Sequence, residues 1–330
     1  MKQETGALSR LLGTLRKMFT STAGAVFVVT IVLTLIVHIT TGNFYTPYNI
    51  LTFTRQISFV ILIGFAQTLV LLMGGIDLSV AAISSLSSML VSQMLVNSSL
   101  NPWLSIILAL VLGSTLGLIN GLIIAHLRIT PFIVTLGTSE LFRGVVYVIT
   151  KGKPIVGIPE SVAIVGQGNL FGTIPYPAII TVVIFIILVL MLRYTALGRH
   201  IYAVGGNEGA ARIVGIRIKR VKISVYTIVG LISALTGVLM VLRLGSYKVS
   251  VGENWVMPSI TAAVLGGTSM SGGVGGVGGT VVGGLLIGTI SFTIGLMGIS
   301  SYWELVITGG VVLIAIIMDA INSKSYSKFV

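Results

Sequence analysis

Residues 198–222 read GRHIYAVGGNEGAARIVGIRIKRVK, the least hydrophobic long stretch in a chain that is otherwise one apolar run after another. Its length decides the fold. The polar segment around it, 193–222, falls well short of the roughly 50 residues a soluble domain needs. The flanking runs therefore belong in a bilayer rather than in a soluble core. Composition agrees: of 330 residues 55% are hydrophobic and 8% charged, against about 25% charged in a soluble domain. A chain this poor in charge cannot cover a water-facing surface. The runs have the ~20-residue length of a helical crossing, and the short alternating segments of a membrane barrel are absent. The expected fold is an all-α polytopic membrane protein, a single transmembrane domain over 1–330. About ten spans are predicted, near 24–40, 56–73, 79–96, 103–126, 131–150, 176–192, 223–243, 256–270, 276–298 and 302–320.

The formal net charge is +12. In a soluble protein that would point to nucleic acid; in a membrane protein it reflects the bias of basic residues toward the cytoplasm. With the N-terminus inside, all but six of the twenty Lys and Arg (Arg55, Arg143, Lys151, Lys153, Arg243, Lys248) fall on the cytoplasmic side. Both termini are then expected in the cytoplasm, with 1–23 a cytoplasmic segment and the loops 151–175, rich in Gly and Pro, and 244–255 outside. The first apolar stretch is long and lacks a small-residue cleavage pattern, so it reads as a span rather than a signal peptide. Cysteine is absent, which excludes disulfides, thiol catalysis and cysteine metal sites.

Within the polar loop, Asn207 is placed to accept a free backbone N–H as an N-cap, and Glu208 puts a negative charge at the positive helix end. Gly209, Ala210, Ala211, Arg212, Ile213 and Val214 follow, and Gly215 can take the left-handed conformation that stops a helix. The pattern predicts about two turns with small residues on one face. Charges alone would serve topology; a bare tether needs neither cap, stop nor alanine face. A short helix of this kind suits docking into a groove on a soluble partner.

The same stretch resembles the coupling loop of ABC transporter permeases of the ribose/xylose type, in which GR…YAxGGNxxAAxxxGI precedes a basic segment. The matching positions are Gly198, Arg199, Ala203, Gly205, Asn207, Ala210, Ala211, Arg212 and Gly215. The resemblance implies that 193–222 is a cytoplasmic coupling loop whose helix enters a cleft on a separate ATP-binding subunit. Three further stretches resemble the family in the right order. LMGGIDLSV (72–80) resembles its GGIDLSVG signature, with Ala81 where glycine is usual. There Gly74 and Gly75 break the helix cheaply, and Asp77 and Ser79 place polar groups where the chain restarts, either as a cap or against solute. TPFIVTLGTSELFRGVVYVITKGKPI (130–155) carries the matching Arg143, while Glu140 departs from the family; three apart, the two predict a local ion pair. TAAVLGGTSMSGGVGGVGGTVVGGLLIG (261–288) resembles AAVxLGGTSxxGGxG. Its Gly266 and Gly267 can break a span, leaving half-helix ends, with Thr268 and Ser269 following. Gly275, Gly279 and Gly283, and again Gly284 and Gly288, are spaced by four, which permits close helix packing in lipid. Gly74, Gly75, Asp77, Ser79, Arg143, Gly266, Gly267, Thr268 and Ser269 are the candidate pathway or gating residues. Upstream the likeness lapses: Trp255 to Ile260 replace acidic residues, and Ile294 stands before Gly295 where the family has Asn.

Residues 273–278 formally fit a dinucleotide fingerprint, but an apolar membrane setting offers no strand–helix–strand unit to hold it. No P-loop and no H-E-x-x-H motif occur, so ATP, a metal and catalytic residues are not expected in this chain. The resemblance implies a bacterial inner-membrane permease subunit of an ATP-driven importer for a monosaccharide or similar polar solute. Its expected partners are an ABC ATPase subunit, an external solute-binding protein, a second permease chain (identical or paralogous) and membrane lipid. The alternative is an ion-coupled secondary transporter or channel, which needs charged relay residues deep in the spans. Trp255 and Tyr247 can either stack on a sugar ring or anchor the chain at the interface.

Overall fold

The structure, a computed structural model, describes residues 22–300 and 302–326. Apart from Thr22 and Ala23, the predicted N-terminal segment lies outside them. The helices are α1 (Thr22–Thr41), α2 (Pro47–Leu72), α3 (Val80–Asn97), α4 (Pro102–Leu127), α5 (Pro131–Thr150), α6 (Glu160–Gln167) and α7 (Tyr176–Tyr194). Then come α8 (Ala196–Gly206), α9 (Glu208–Ile213), α10 (Ile218–Leu244), α11 (Val256–Leu265), α12 (Val277–Leu296) and α13 (Tyr302–Tyr326). Two-residue antiparallel ladders pair β1 (Ile155–Val156) with β4 (Ser246–Tyr247), and β2 (Asn169–Leu170) with β3 (Ile174–Pro175). The first ladder ties the 151–175 connection to the one after α10.

Eight described helices, α1 to α5, α7, α10 and α12, are long and apolar enough to cross a membrane, and α13 occupies the last predicted span. Boundaries follow local chemistry. α2 begins at Pro47 rather than near 56 because Thr46 caps it, its hydroxyl accepting from Asn49 N at 3.4 Å; proline at the first helical position costs no hydrogen bond. The eighth predicted span, 256–270, is corrected. α11 has ten residues, ~15 Å at 1.5 Å each, about half of a ~30 Å hydrocarbon core. Gly266 and Gly267 end it, Gly267 at φ +88°, and 268–276 continues without a helix to the end of α2, where Gly273 N meets Leu72 O.

α2 is the central helix. From Ile57 to Leu72 every residue except Val60 is buried, against α7, α10, α11 and α12. Small residues set the spacing of its neighbours. Gly113, Gly117 and Gly121 of α4 face α10, where a methyl on Gly117 would meet the Gly230 Cα and N at 3.0 Å. Next to α4, Ser84 of α3 donates to the Ser233 carbonyl of α10 at 2.7 Å. α12 uses the predicted glycine spacing: Gly279 and Gly283 lie on the α11 backbone at Gly266 and Ala262, and Gly284 and Gly288 on Ile61 and Ile57 of α2. Without a hydrophobic drive between helices in lipid, such close backbone contact is a main source of cohesion.

Candidate coupling and gating site

The polar loop is two helices, not one. α8 was not foreseen, although its signals are visible in retrospect. Thr195 caps it, accepting from Gly198 N at 3.2 Å, and Leu197, Ile201 and Val204 repeat at helical spacing to pack on the bundle. Gly198 sits against the Leu192 backbone with no room for a side chain; Arg199 and Ala203 face outward. α9 carries both predicted caps. Asn207 Oδ1 accepts from Ala210 N at 2.9 Å. Gly215, at φ +84°, donates to Arg212 O at 3.1 Å, while Ile216 N donates to Ala211 O at 3.0 Å, a Schellman arrangement. Glu208 receives Lys222 at 2.8 Å and Arg212 at 3.4 Å, which fastens α9 to the start of α10.

The predicted alanine face is split. Ala211 is buried in the bundle core, only 3% exposed, because α9 lies on the bundle through that side. Ala210 faces outward, and beside it Ile213 and Val214 are 88% and 75% exposed. These two bare apolar side chains at the tip of α9 were missed. Sequence alone offers only that they end a helix too short to bury them.

One candidate coupling residue, Gly205, meets the candidate gating segments at a joint made of backbone. The C-terminal end of α8 lies on the turn after α2 and on the loop between α11 and α12. Gly273 N donates to Leu72 O at 2.9 Å. A methyl on Gly205 would stand 2.8 Å from Gly273 N and overlap the Leu72 carbonyl oxygen. One on Gly272 would stand 2.7 Å from both Gly205 O and Gly74 N, and Gly74 itself lies against the Ser271 carbonyl. Tyr202 of α8 donates to Gly275 O at 2.9 Å. Thus 72–75, 205–206 and 271–275 touch main chain to main chain.

Behind the joint, the 73–79 linker is internally bonded, with Gly75, Asp77 and Ser79 buried. Asp77 Oδ1 accepts from Ser79 N at 2.7 Å and Ser79 Oγ at 2.6 Å, so Asp77 holds the turn that starts α3. Gln67, its amide oriented to satisfy both contacts, donates to Asp77 O at 3.1 Å and accepts from Asp77 N at 3.2 Å. Asn120 of α4 donates to Ser79 Oγ at 2.8 Å, and Leu78 N donates to Thr135 of α5 at 3.1 Å. Gly75 packs on Pro131. Gly266 lies on Gly279, and Thr268 is buried where Gly275 presses on it. Ser269 N donates to Val274 O at 3.0 Å, closing the turn.

Arg143 is not at this joint. It bridges Glu140 at 3.3 Å, as expected, and Glu253 at 3.4 Å. With Ala81, Ser85, Tyr147 and Val251 it lines a small cavity of about 100 Å³. Tyr247 is fully buried there, its hydroxyl 3.0 Å from Ser85 Oγ, and burial pushes its phenol up to about 12; it is no open platform for a sugar. Trp255 is half-buried against the core. Among the described residues no three His, Asp or Glu side chains gather as metal ligands would.

Crossing helices interrupted by two glycine-rich loops, both resting on the end of the short capped helix α8, define a membrane permease. The chain belongs to the family described as branched-chain amino acid transport system / permease component, whose model matches residues 49–316. It is 48% identical over 290 residues to the ribose import permease protein of Bacillus subtilis (strain 168), covering 87% of this chain and 89% of that one. To the ribose import permease protein of Escherichia coli (strain K12) it is 37% identical over 293 residues, 88% of this chain and 91% of the other. To the fructose import permease protein of Rhizobium meliloti it is 35% identical over 318 residues, 94% and 88% of the two chains. No solved structure matches it.

Proposed function

We propose that this chain is the membrane-spanning permease subunit of an ATP-driven, binding-protein-dependent importer for a monosaccharide. The relatives named for ribose and fructose import support the solute class. The backbone joint of Leu72, Gly205 and Gly273 supports the coupling, and it is the observation that carries the proposal. A separate ABC subunit binds ATP and takes α9 in a cleft, meeting Ala210, Ile213 and Val214, so this chain supplies no cofactor. Two permease chains, alike or paralogous, enclose the path, and an external binding protein delivers the sugar at the end formed by 151–175 and 245–255. Both termini and 193–222 face the cytoplasm of a bacterial inner membrane, as the distribution of Lys and Arg favours.

The spans make and break no covalent bond. They hold two arrangements of similar free energy, and partners bias them by differential contact. Closure of the ATPase pair displaces α9. The shared turn at Asn207 carries α8 with it, while the Glu208–Lys222 pair carries the start of α10, and α8 presses the two broken segments together or lets them part. The test is uptake of radiolabelled ribose, fructose and arabinose by vesicles holding the permease, its ATPase and its binding protein. Uptake that stops without ATP is expected. Uptake sustained by an ion gradient alone would refute the importer and favour the ion-coupled alternative.

A further inference from the structure

A cavity of about 830 Å³ opens beside the coupling helices, within the ~300–1,000 Å³ range of small-molecule sites. Its floor is Gly74, Gly75 and Tyr226; its walls come from the end of α4, the 128–130 turn, α9 and the start of α10. Six cations line it, Arg128, Arg212, Arg217, Lys219, Arg220 and Lys222, and Glu208 is the one carboxylate in the lining. Glu208 is already shared by Lys222 and Arg212. Arg128, Arg217, Lys219 and Arg220 make no ion pair among the described residues. The field of α10 adds to theirs. This 27-residue helix has no acidic residue in its first turn and no side-chain cap at Arg217, so its positive end reinforces the cations instead of offsetting them. The bias of charge toward the cytoplasm needs basic residues only in number. It does not require that Arg128, from a different helix, converge with the start of α10 on one hollow.

We propose that this cavity is an anion site that holds the phosphate of an acidic phospholipid. Concentrated positive charge at a helix N-terminus is the usual setting for a phosphate, and basic pockets between membrane helices take acidic lipid headgroups. A lipid is favoured over free phosphate by the cavity's flank. Around Arg128 the apolar side chains Leu127, Ile129, Phe132 and Ile133 are exposed, Leu127 and Ile133 by more than 60%, and offer acyl chains a surface that a free ion would leave bare. A lipid bound there bridges α4, α9 and α10, and so holds the coupling helix on the bundle in the absence of the ATPase.

The test uses the full chain alone in neutral detergent, so that its outcome is independent of whether an ATPase docks. Thermal unfolding is followed while short-chain phosphatidylglycerol, phosphatidylcholine of the same chain length, or inorganic phosphate is added. Phosphatidylglycerol is expected to raise the midpoint saturably, less so at high salt, and phosphatidylcholine to leave it unchanged. Arg217→Gln with Arg220→Gln should weaken the apparent affinity roughly 30-fold, whereas Lys151→Gln with Lys153→Gln, in a distant loop, should not alter it. If the first double variant does not unfold cooperatively, Arg128→Gln alone replaces it, with roughly fivefold weakening expected. Equal response to the two lipids, or an undiminished response in the cavity variant, overturns the site. Equal stabilisation by inorganic phosphate overturns the lipid assignment and retains the anion.

Discussion

Gly205→Ala is the most direct perturbation of the joint between α8 and the broken segments. An added methyl carbon would lie 2.8 Å from Gly273 N and 2.9 Å from the Leu72 carbonyl carbon, and closer to its oxygen. Comfortable carbon contacts begin at about 3.5 Å, and the overlap with the Leu72 oxygen is the deepest, so the three backbones must part by roughly 1 Å or more. Overpacking by one methyl costs about 1–3 kcal/mol. Loss of the Gly273 N to Leu72 O bond adds about 1 kcal/mol, and alanine's better helix propensity returns about 0.5–1 kcal/mol. The net is roughly 2 kcal/mol against the closed joint, a factor of about 30 in its population. The caps of α9 are untouched, so an ATPase should still dock and hydrolyse ATP. In reconstituted vesicles we expect ATP hydrolysis to persist while sugar uptake falls ten- to a hundredfold. Gly206→Ala is the adjacent control, because a methyl there meets nothing within 4 Å. Wild-type uptake by Gly205→Ala, or an equal loss in Gly206→Ala, would refute the transmission of force through this contact.

Ile213→Asp with Val214→Asp places charge on the exposed tip of α9 and should abolish ATPase binding in a pull-down, while the purified permease keeps its thermal midpoint. Asn207→Ala removes the cap from a six-residue helix; about 1 kcal/mol of cap energy should be lost, seen as faster proteolysis within 207–215. Asp77→Ala strands the Ser79 N–H and hydroxyl in a buried turn and should cost about 1–3 kcal/mol per group, lowering the yield of folded protein, whereas Asp77→Asn keeps an acceptor and should be milder. Arg143→Gln should shift the midpoint by less than about 1 kcal/mol, since its ion pairs are nearly half exposed; any larger fall in uptake then reports a role in passing solute.

The sequence made the crossing helices legible, because a bilayer imposes length and apolarity on each span separately. The caps of α9 were legible for the same reason, since a helix end is solved locally by Asn207 and Gly215. What escaped depended on distant partners. The glycine pair at 266–267 was readable as a break, but not how short the helix before it would be: α11 stops after ten residues, seated on Gly279 and Gly283. Ala211 looked equivalent to Ala210, and the packing of α9 on the bundle separates them. Tyr247 read as either a sugar platform or an interfacial anchor, and β4 turns it inward to Ser85 instead. The joint of Leu72, Gly205 and Gly273 consists of main chain from three remote segments, and its glycines carried no sign of which backbone would lie against them.

The burial of α2 on all sides bears on how the protein is made. This helix leaves the ribosome second among the described spans, yet its neighbours α10, α11 and α12 are synthesised far later. It also carries Ser58, Gln67 and Thr68, all buried, and Thr68 shares a hydrogen bond with Thr280 of α12. Gln67 meets Asp77 soon after it is made, and Ser58 and Thr68 bond to carbonyls of their own helix, but the bond to Thr280 waits for α12. Completion of the native bundle therefore waits on the last third of the chain, and a nascent protein halted before α12 would leave the side of α2 that carries Ile57, Ile61 and Thr68 uncovered.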